Sequence, residues 1–363
     1  MAKKVHLIAA ARPNFMKVAP LFHALNAADD FTPVLIHTGQ HYDANMSDSF
    51  FQDLELPKPH YHLGVGSGTH AEQTGGVMIA YEKICMEDKP DWIIVVGDVN
   101  STAACAMVGT KCWVPVAHLE AGLRSRDRKM PEEINRLVTD AIADVLWTPS
   151  PDADENLALE GVDPARVTRV GNIMMDSFEL MRDKIEASNA LETYELESRS
   201  YGIVTLHRPS NVDKRAKLEQ ITSQLKAAAA KCPLIFPVHP RTRKQLETFG
   251  LWDDLNNASG VKLVEPISYR PFMSLVANAR FALTDSGGIQ EETTYLDVPC
   301  LTLRDNTERP ITLEQGTNRL IKPDMILSSV EDVLKGNWQH GIRPEFWDGH
   351  TAARILEDLR KRS

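Results

Sequence analysis

The sequence predicts an α/β protein built from two doubly wound parallel sheets facing each other across a cleft. Three observations carry that prediction. The chain has 363 residues, which at roughly 150 residues per domain suggests two domains. Short apolar runs recur with helix-length stretches between them, the rhythm of βαβ units. The runs are continuous rather than alternating, as expected of strands buried on both faces. A composition of 43% hydrophobic and 25% charged residues, with 20 Gly and 21 Pro, is that of a soluble globular protein and excludes collagen-like, disordered and disulfide-scaffold chains.

In chain order, strands are expected at 5–10, 34–37, 92–96, 114–119 and 145–147, and then at 203–206, 234–238, 261–264, 281–284 and 300–303. Between Asp176 and Ser200 the chain turns polar and charged with no strand signal. A helical linker is expected there, with one domain over residues 1–172 and the other over 173–342. Residues 343–363 carry Ala353, Ile355, Leu356 and Leu359 at helical spacing, and this last helix is expected to cross back onto the first domain. No repeat of solenoid or propeller period and no low-complexity tract is present.

Charge and cysteines narrow the function. Forty Lys+Arg against 50 Asp+Glu leave a formal charge of −10, which argues against non-specific attachment to nucleic acid or to an anionic membrane. An anionic ligand must therefore be held by a local cluster. Cys85, Cys105, Cys112, Cys232 and Cys300 show no metal-finger or C-x-x-C spacing, and their odd number suits reduced thiols. The apolar run after Lys3-Lys4 meets Arg12-Pro13-Asn14 too soon for a signal peptide, and no run nears the roughly 18 residues of a membrane span. A cytoplasmic protein is expected.

Ligands of an open parallel sheet bind beyond the carboxyl ends of its strands, so the residues after each run are informative. Arg12 and Lys17 stand at a helix start, where the macrodipole disfavours cations by roughly 0.3–1 kcal/mol. A bound anion would remove the conflict; plain exposure to solvent is the other reading. Asp98 follows the third run, as a helix cap or as a reactive acid, and Glu120 follows the fourth with no cap to make. Pro131-Glu132-Glu133-Ile134-Asn135-Arg136 opens a helix with Pro in its first turn and two acids behind it, a good start on dipole grounds alone.

The second half supplies cations and amide donors. His207-Arg208 and His239-Pro240-Arg241 follow two strands, and Asp285-Ser286-Gly287-Gly288-Ile289-Gln290-Glu291-Glu292 follows a third. Two strand-end histidines, each with a nearby Arg, beside a Gly pair opening a helix look like a diphosphate site approached by backbone N–H groups. Glu292, one turn into that helix, is placed to accept ribose hydroxyls. Neither G-x-G-x-x-G nor P-loop spacing occurs, so no NAD or P-loop nucleotide site is expected.

These residues resemble the UDP-N-acetylglucosamine 2-epimerases, a family with the two-Rossmann-domain GT-B fold. The likeness runs through Ala11-Arg12-Pro13, Gly97-Asp98, His118-Leu119-Glu120-Ala121-Gly122-Leu123-Arg124, Pro131 to Arg136, Gly171-Asn172, Asp285 to Glu292 and Thr307-Glu308-Arg309-Pro310. It implies that Asp98, Glu120 and Glu132 are the catalytic carboxylates, with His207 at the reacting end of the diphosphate. It also implies that Arg12, Lys17, His239, Ser286, Gly287, Gly288, Glu292 and Arg309 hold the UDP part. Arg136, Arg208 and Arg241 join the substrate set, Phe272 packs near the uracil, and the chain is a homodimer.

The implied reaction is reversible C2 epimerisation of UDP-N-acetylglucosamine to UDP-N-acetylmannosamine, with no cofactor and no metal. No carbonyl acidifies the C2 proton, so UDP leaves C1 as that proton leaves C2, giving 2-acetamidoglucal. UDP then adds back with the proton delivered to the other face. This route needs more than one carboxylate, cations on the departing diphosphate, and a cleft that closes over the glycal.

Departures bear on specificity. Many bacterial members read Gly-Thr-Arg-Pro-Glu where this chain reads Ala10-Ala11-Arg12-Pro13-Asn14, and a second Arg and a Glu where it has Pro209-Ser210-Asn211. Gln40-His41 begins like the segment that binds a second, allosteric UDP-N-acetylglucosamine in bacterial members, then diverges at Tyr42. The stretch from Gln40 through His70-Ala71-Glu72-Gln73 is similar to relatives acting on UDP-2,3-diacetamido-2,3-dideoxy-glucuronic acid, a rival substrate. A hydrolysing epimerase releasing UDP and N-acetylmannosamine is opposed by the intact Pro131-Glu132-Glu133. Three acids weigh against a GT-B glycosyltransferase, which needs one base or none, and a nucleotide-sugar sensor would leave them idle.

Overall fold

The computed structural model describes residues 2–39, 51 and 53–362. It divides into two units, residues 1–181 with 345–363, and residues 182–344. In the first unit the described strands form one parallel sheet in the order β3-β2-β1-β4-β5-β6-β7. They are β1 (Lys3–Ala9), β2 (Phe31–His37), β3 (Tyr61–His62), β4 (Trp92–Val96), β5 (Val116–Leu119), β6 (Val145–Thr148) and β7 (Val167–Arg169). Every residue of β4, β5 and β6 is buried, which is why these strands read as unbroken apolar runs. Ile8, Ile36, Val95, Cys105 and Leu146 belong to the core that this sheet shares with its helices.

In the second unit the order is β10-β9-β8-β11-β12-β13, again all parallel. The strands are β8 (Gly202–Thr205), β9 (Leu234–Pro237), β10 (Val261–Val264), β11 (Phe281–Thr284), β12 (Cys300–Thr302) and β13 (Asn318–Leu320). Val204, Leu225, Phe236, Leu283, Leu301 and Val330 lie in a separate core. All ten expected strands fall on observed ones; β3, β7 and β13 were not expected. Among the described residues no helix is long and apolar enough to cross a membrane.

The units divide at 181/182 and 344/345, against the expected 172/173 and 342/343. The difference lies in the helix Ile173–Glu186, whose first part is built into the first unit by buried Ile173, Met174, Met175 and Phe178. The last helix, Thr351–Arg362, packs on Arg12–Asn26. Its Asp358 accepts the Trp147 indole N–H at 2.8 Å and the Thr168 hydroxyl at 3.1 Å.

Each strand order reverses once, between β1 and β4 and between β8 and β11. Such switch points open a crevice beyond the strand ends, where ligands of doubly wound sheets bind.

Candidate active site

At the β1/β4 switch point the loops carry the predicted acids. Gly97 ends β4 with φ 68°, a turn open to glycine, and leads into Asp98. Asp98 does not cap the following helix Asn100–Lys111, whose N-cap is Val99. Its Oδ2 instead receives Nε (3.0 Å) and Nη2 (2.6 Å) of Arg136, while Asn135 donates to its backbone oxygen at 2.9 Å. Arg136 also donates Nη1 to Glu133 at 2.8 Å, and Glu133 accepts the backbone N–H groups of Ser125 (2.8 Å) and Arg126 (3.0 Å). The helix Pro131–Ile142 thus spends Glu133, Asn135 and Arg136 on holding the loops around Asp98. Glu132, half-buried in the same first turn, is left out of these contacts.

Glu120 is buried and has φ 75°, a left-handed conformation that costs a non-glycine residue about 1–3 kcal/mol and is found most often at functional sites. It is ion-paired with Lys17. A Cβ placed on Gly97 would lie 3.5 Å from both Glu120 Oε2 and Lys17 Nζ, so this ion pair covers the turn that presents Asp98. The cation at the start of Arg12–Asn26 therefore faces an internal carboxylate. Asn14 accepts the Ala11 N–H through Oδ1 (2.9 Å) and donates Nδ2 to the Val96 oxygen (3.1 Å), joining the ends of β1 and β4. A glutamate here could make only the first bond.

At the β8/β11 switch point, buried Asp285 collects the backbone N–H groups of His207 (3.1 Å) and Arg208 (3.0 Å) and the Asn211 amide (3.0 Å). Its Oδ1 lies 2.9 Å from His207 Nδ1. Burial pushes this carboxyl up, but His207 and the other donors outweigh it and hold it below the ordinary carboxylate value. The ring of His207, 41% exposed, keeps Nε2 for another partner. The His239 ring centroid is 5.5 Å away, and burial, then the neighbouring His207, lowers the pKa of His239. Both rings, with Phe272, Ser286, Pro266 and Ile289, line a cavity of about 250 Å³.

Ser286 is the N-cap of the helix Gly287–Tyr295 and makes no side-chain cap, which leaves the first-turn N–H groups for an anion. A Cβ on Gly287 would stand 2.8 Å from Arg309 Nη1, so the end of that side chain would have to shift, whereas one on Gly288 would meet nothing within 4 Å. Arg309 pairs with Glu291 (2.8 Å) and Glu308 (2.9 Å). Glu308 also holds Arg304 at 2.7 Å and lies 3.7 Å from Arg208. Burial opposes the Glu308 charge, but Arg309 and Arg304 hold its carboxyl far below the usual range. Arg208, Arg304 and Arg309 thus gather around Glu308 at the helix start, with Glu291 as a second counter-charge. Glu292, one turn on, accepts the Tyr269 hydroxyl at 2.8 Å, and burial raises its pKa to about 8.

Not every predicted residue joins these clusters. Arg241 is exposed and pairs with Asp213 at 2.6 Å. Arg12 opens its helix, but its side chain lies outside the described residues, as do Gln40 and His41. The roles of Asp285, Asn135, Glu308 and Tyr269 were not foreseen. Asp285 had a signal, an acid directly after an apolar run as at Asp98; Tyr269 had none, because its partner lies 23 residues away.

The family model for UDP-N-acetylglucosamine 2-epimerase matches residues 23–360. A UDP-N-acetylglucosamine 2-epimerase of Methanocaldococcus jannaschii is 42% identical over 367 residues, covering 98% of each chain. A UDP-2,3-diacetamido-2,3-dideoxy-D-glucuronate 2-epimerase of Pseudomonas aeruginosa is 36% identical over 363 residues, covering 99% of each chain. The crystal structure of the M. jannaschii UDP-GlcNAc 2-epimerase in complex with UDP-GlcNAc and UDP matches with a TM-score of 0.87 at 41% identity, over 99% of each chain. The two Rossmann-type units are those of the GT-B fold that the sequence led us to expect. With a family match from 23 to 360 and 42% identity to a relative along nearly the whole chain, this protein belongs to the UDP-N-acetylglucosamine 2-epimerase family.

Proposed function

We propose that the chain interconverts UDP-N-acetylglucosamine and UDP-N-acetylmannosamine by anti elimination of UDP to 2-acetamidoglucal and re-addition, without hydrolysis. The observation that carries the reading is the complete acid set Asp98, Glu120 and Glu132 in a chain 42% identical to an epimerase of that name. Asp98 and Glu120 each face a cation, Arg136 or Lys17, so Glu132 is the carboxyl free to carry a proton at C2. His207, oriented by Asp285, faces the departing diphosphate with Nε2. The arginines around Glu308 and the first turn of Gly287–Tyr295 take up the charge that develops there. Glu292 accepts the ribose hydroxyls, Phe272 packs on the uracil, and Arg12 with Lys17 completes the cationic set. In this reading the enzyme works as a cytoplasmic homodimer.

Proton NMR with UDP-N-acetylglucosamine alone in D2O tests the proposal. Deuterium at C2 and UDP-N-acetylmannosamine, with no free sugar, is the expected result. Free UDP and N-acetylmannosamine would replace it with the hydrolysing reaction. An unchanged spectrum, followed by turnover of the diacetamido-uronic acid nucleotide, would move the substrate to that of the 36% identical relative.

A further inference from the structure

We infer that His118 and Asp140 are positioning residues, a buried imidazolium–carboxylate bridge that joins the turn before Asp98 to the turn after Glu120. The inference rests on the proposed reading of those two acids as reacting groups. His118 in β5 and Asp140 in the helix Pro131–Ile142 are 0% and 1% exposed, so neither reaches a substrate. His118 Nδ1 lies 2.6 Å from Asp140 Oδ1, and Nε2 lies 2.8 Å from the carbonyl oxygen of Gly97. A carbonyl oxygen can only accept, so Nε2 carries a hydrogen. Asp140 Oδ2 meanwhile accepts the Gly122 N–H at 3.0 Å and Arg124 Nη1 at 2.8 Å. Those donors suit an ionised carboxylate, so Nδ1 carries a hydrogen as well. The ring donates at both ends and is an imidazolium without access to water.

The bridge ends on one backbone atom of each turn, the oxygen of Gly97 and the nitrogen of Gly122. Both glycines have positive φ, 68° and 81°, so neither turn is held by a side chain of its own there. At Gly122 none would fit, since a Cβ would meet the Ala153 oxygen at 2.4 Å. Asp98 directly follows one glycine and Glu120 stands two residues before the other. A buried ion pair is a poor source of stability compared with well-packed apolar side chains. What this one supplies is a fixed separation between two loops whose acids must meet one sugar carbon.

Two amide variants separate the halves of the bridge. His118→Asn keeps a donor where Nδ1 faces Asp140 and loses the bond to Gly97; His118→Gln keeps a donor where Nε2 faces Gly97 and loses the bond to Asp140. If the bridge positions Asp98, H118N lowers kcat about 100-fold and H118Q no more than about 10-fold, a loss of the size expected from a displacement near 1 Å. KM for UDP-N-acetylglucosamine and the affinity for UDP stay within about threefold in both. A folded H118N with parental kcat overturns the inference. So does a loss of kcat that is equal in the two variants and tracks their melting temperatures, which would mark a purely structural role. Should neither variant fold, 15N NMR of the parent chain decides: one of the 12 histidines shows two slowly exchanging ring N–H protons at pH 7, and absence of such a ring removes the bridge. A parent chain that leaves C2 unexchanged in every UDP-sugar tried instead removes the functional reading, and with it the catalytic role given to the bridge.

Discussion

Glu132 and Glu133 are adjacent carboxylates with opposite surroundings. Glu133 is 2% exposed and receives two backbone N–H groups, the Ser125 hydroxyl and Arg136, so Glu133→Gln removes one of the two carboxylates that pair with the buried Arg136 and the charge that its N–H donors face, and costs about 2–4 kcal/mol. Glu132→Gln should leave the melting temperature nearly unchanged and lower kcat by about 100-fold or more, with UDP affinity retained. Thermal melts beside steady-state rates check both, and a Glu132 variant with parental turnover would defeat its assignment as the proton carrier. Glu292 gives a pH signature. Its folded value, about 8, lies above the unfolded one of 4.5, so its contribution to stability is complete below about pH 4.5 and is lost as pH rises through about 8. Between about pH 5 and pH 8.5 the parent chain should therefore lose more melting temperature than Glu292→Gln; parallel curves would contradict the burial effect. Glu120 was visible in the sequence because an acid directly after a buried strand with no cap to make has few ordinary uses. Asp98 and Glu132 had ordinary ones, a helix cap and the helix dipole, and stood out only through the family resemblance. The sequence could not show the company of these acids, since Arg136 lies 38 residues from Asp98 and Lys17 lies 103 from Glu120.

The helix Thr351–Arg362 shows the same limit for a whole element. Its apolar spacing was legible, and so was its association with the first domain. Its first N–H groups, on Thr351 and Ala352, are taken by Asp176 at 3.1 and 2.8 Å, from 175 residues or more upstream. Asp176→Ala should cost about 1–2 kcal/mol, the usual worth of an N-cap, read from urea denaturation followed by hydrogen exchange in residues 351–362. Unchanged protection there would show that packing on Arg12–Asn26 holds the helix alone. Strands were legible by their apolar content and their place in the sheet. β4, inside the sheet and wholly buried, was read to the residue. The three missed strands, Tyr61–His62, Val167–Arg169 and Asn318–Leu320, all lie at sheet edges, where a short strand with one unpaired side needs few apolar residues. β10, an edge strand found correctly, has two valines and a leucine in its four residues.

At the scale of the whole molecule, length alone indicated two folding units, and each has a buried core of its own. The exact division was not legible because one continuous helix, Ile173–Glu186, carries the chain from one unit to the next. The net charge of −10 makes the local cations decisive for an anionic ligand. The cluster Arg208, Arg304 and Arg309, the first turn of Gly287–Tyr295 and the cavity with His207, His239 and Phe272 all lie within residues 182–344. UDP without its sugar should therefore find most of its contacts in the second unit. At about 100 times its Kd it should stabilise the state that binds it by about 2.7 kcal/mol. Hydrogen exchange should slow at 205–211 and 285–292, whereas the acid loops at 97–100 and 120–122 should respond only when the N-acetylated sugar is attached. Slowing at 11–17 with UDP alone would assign Arg12 and Lys17 to the UDP part, as the resemblance implies. No slowing at 285–292 would mean that the glycine pair does not meet the phosphates, and the leaving-group half of the mechanism would have to be sought elsewhere.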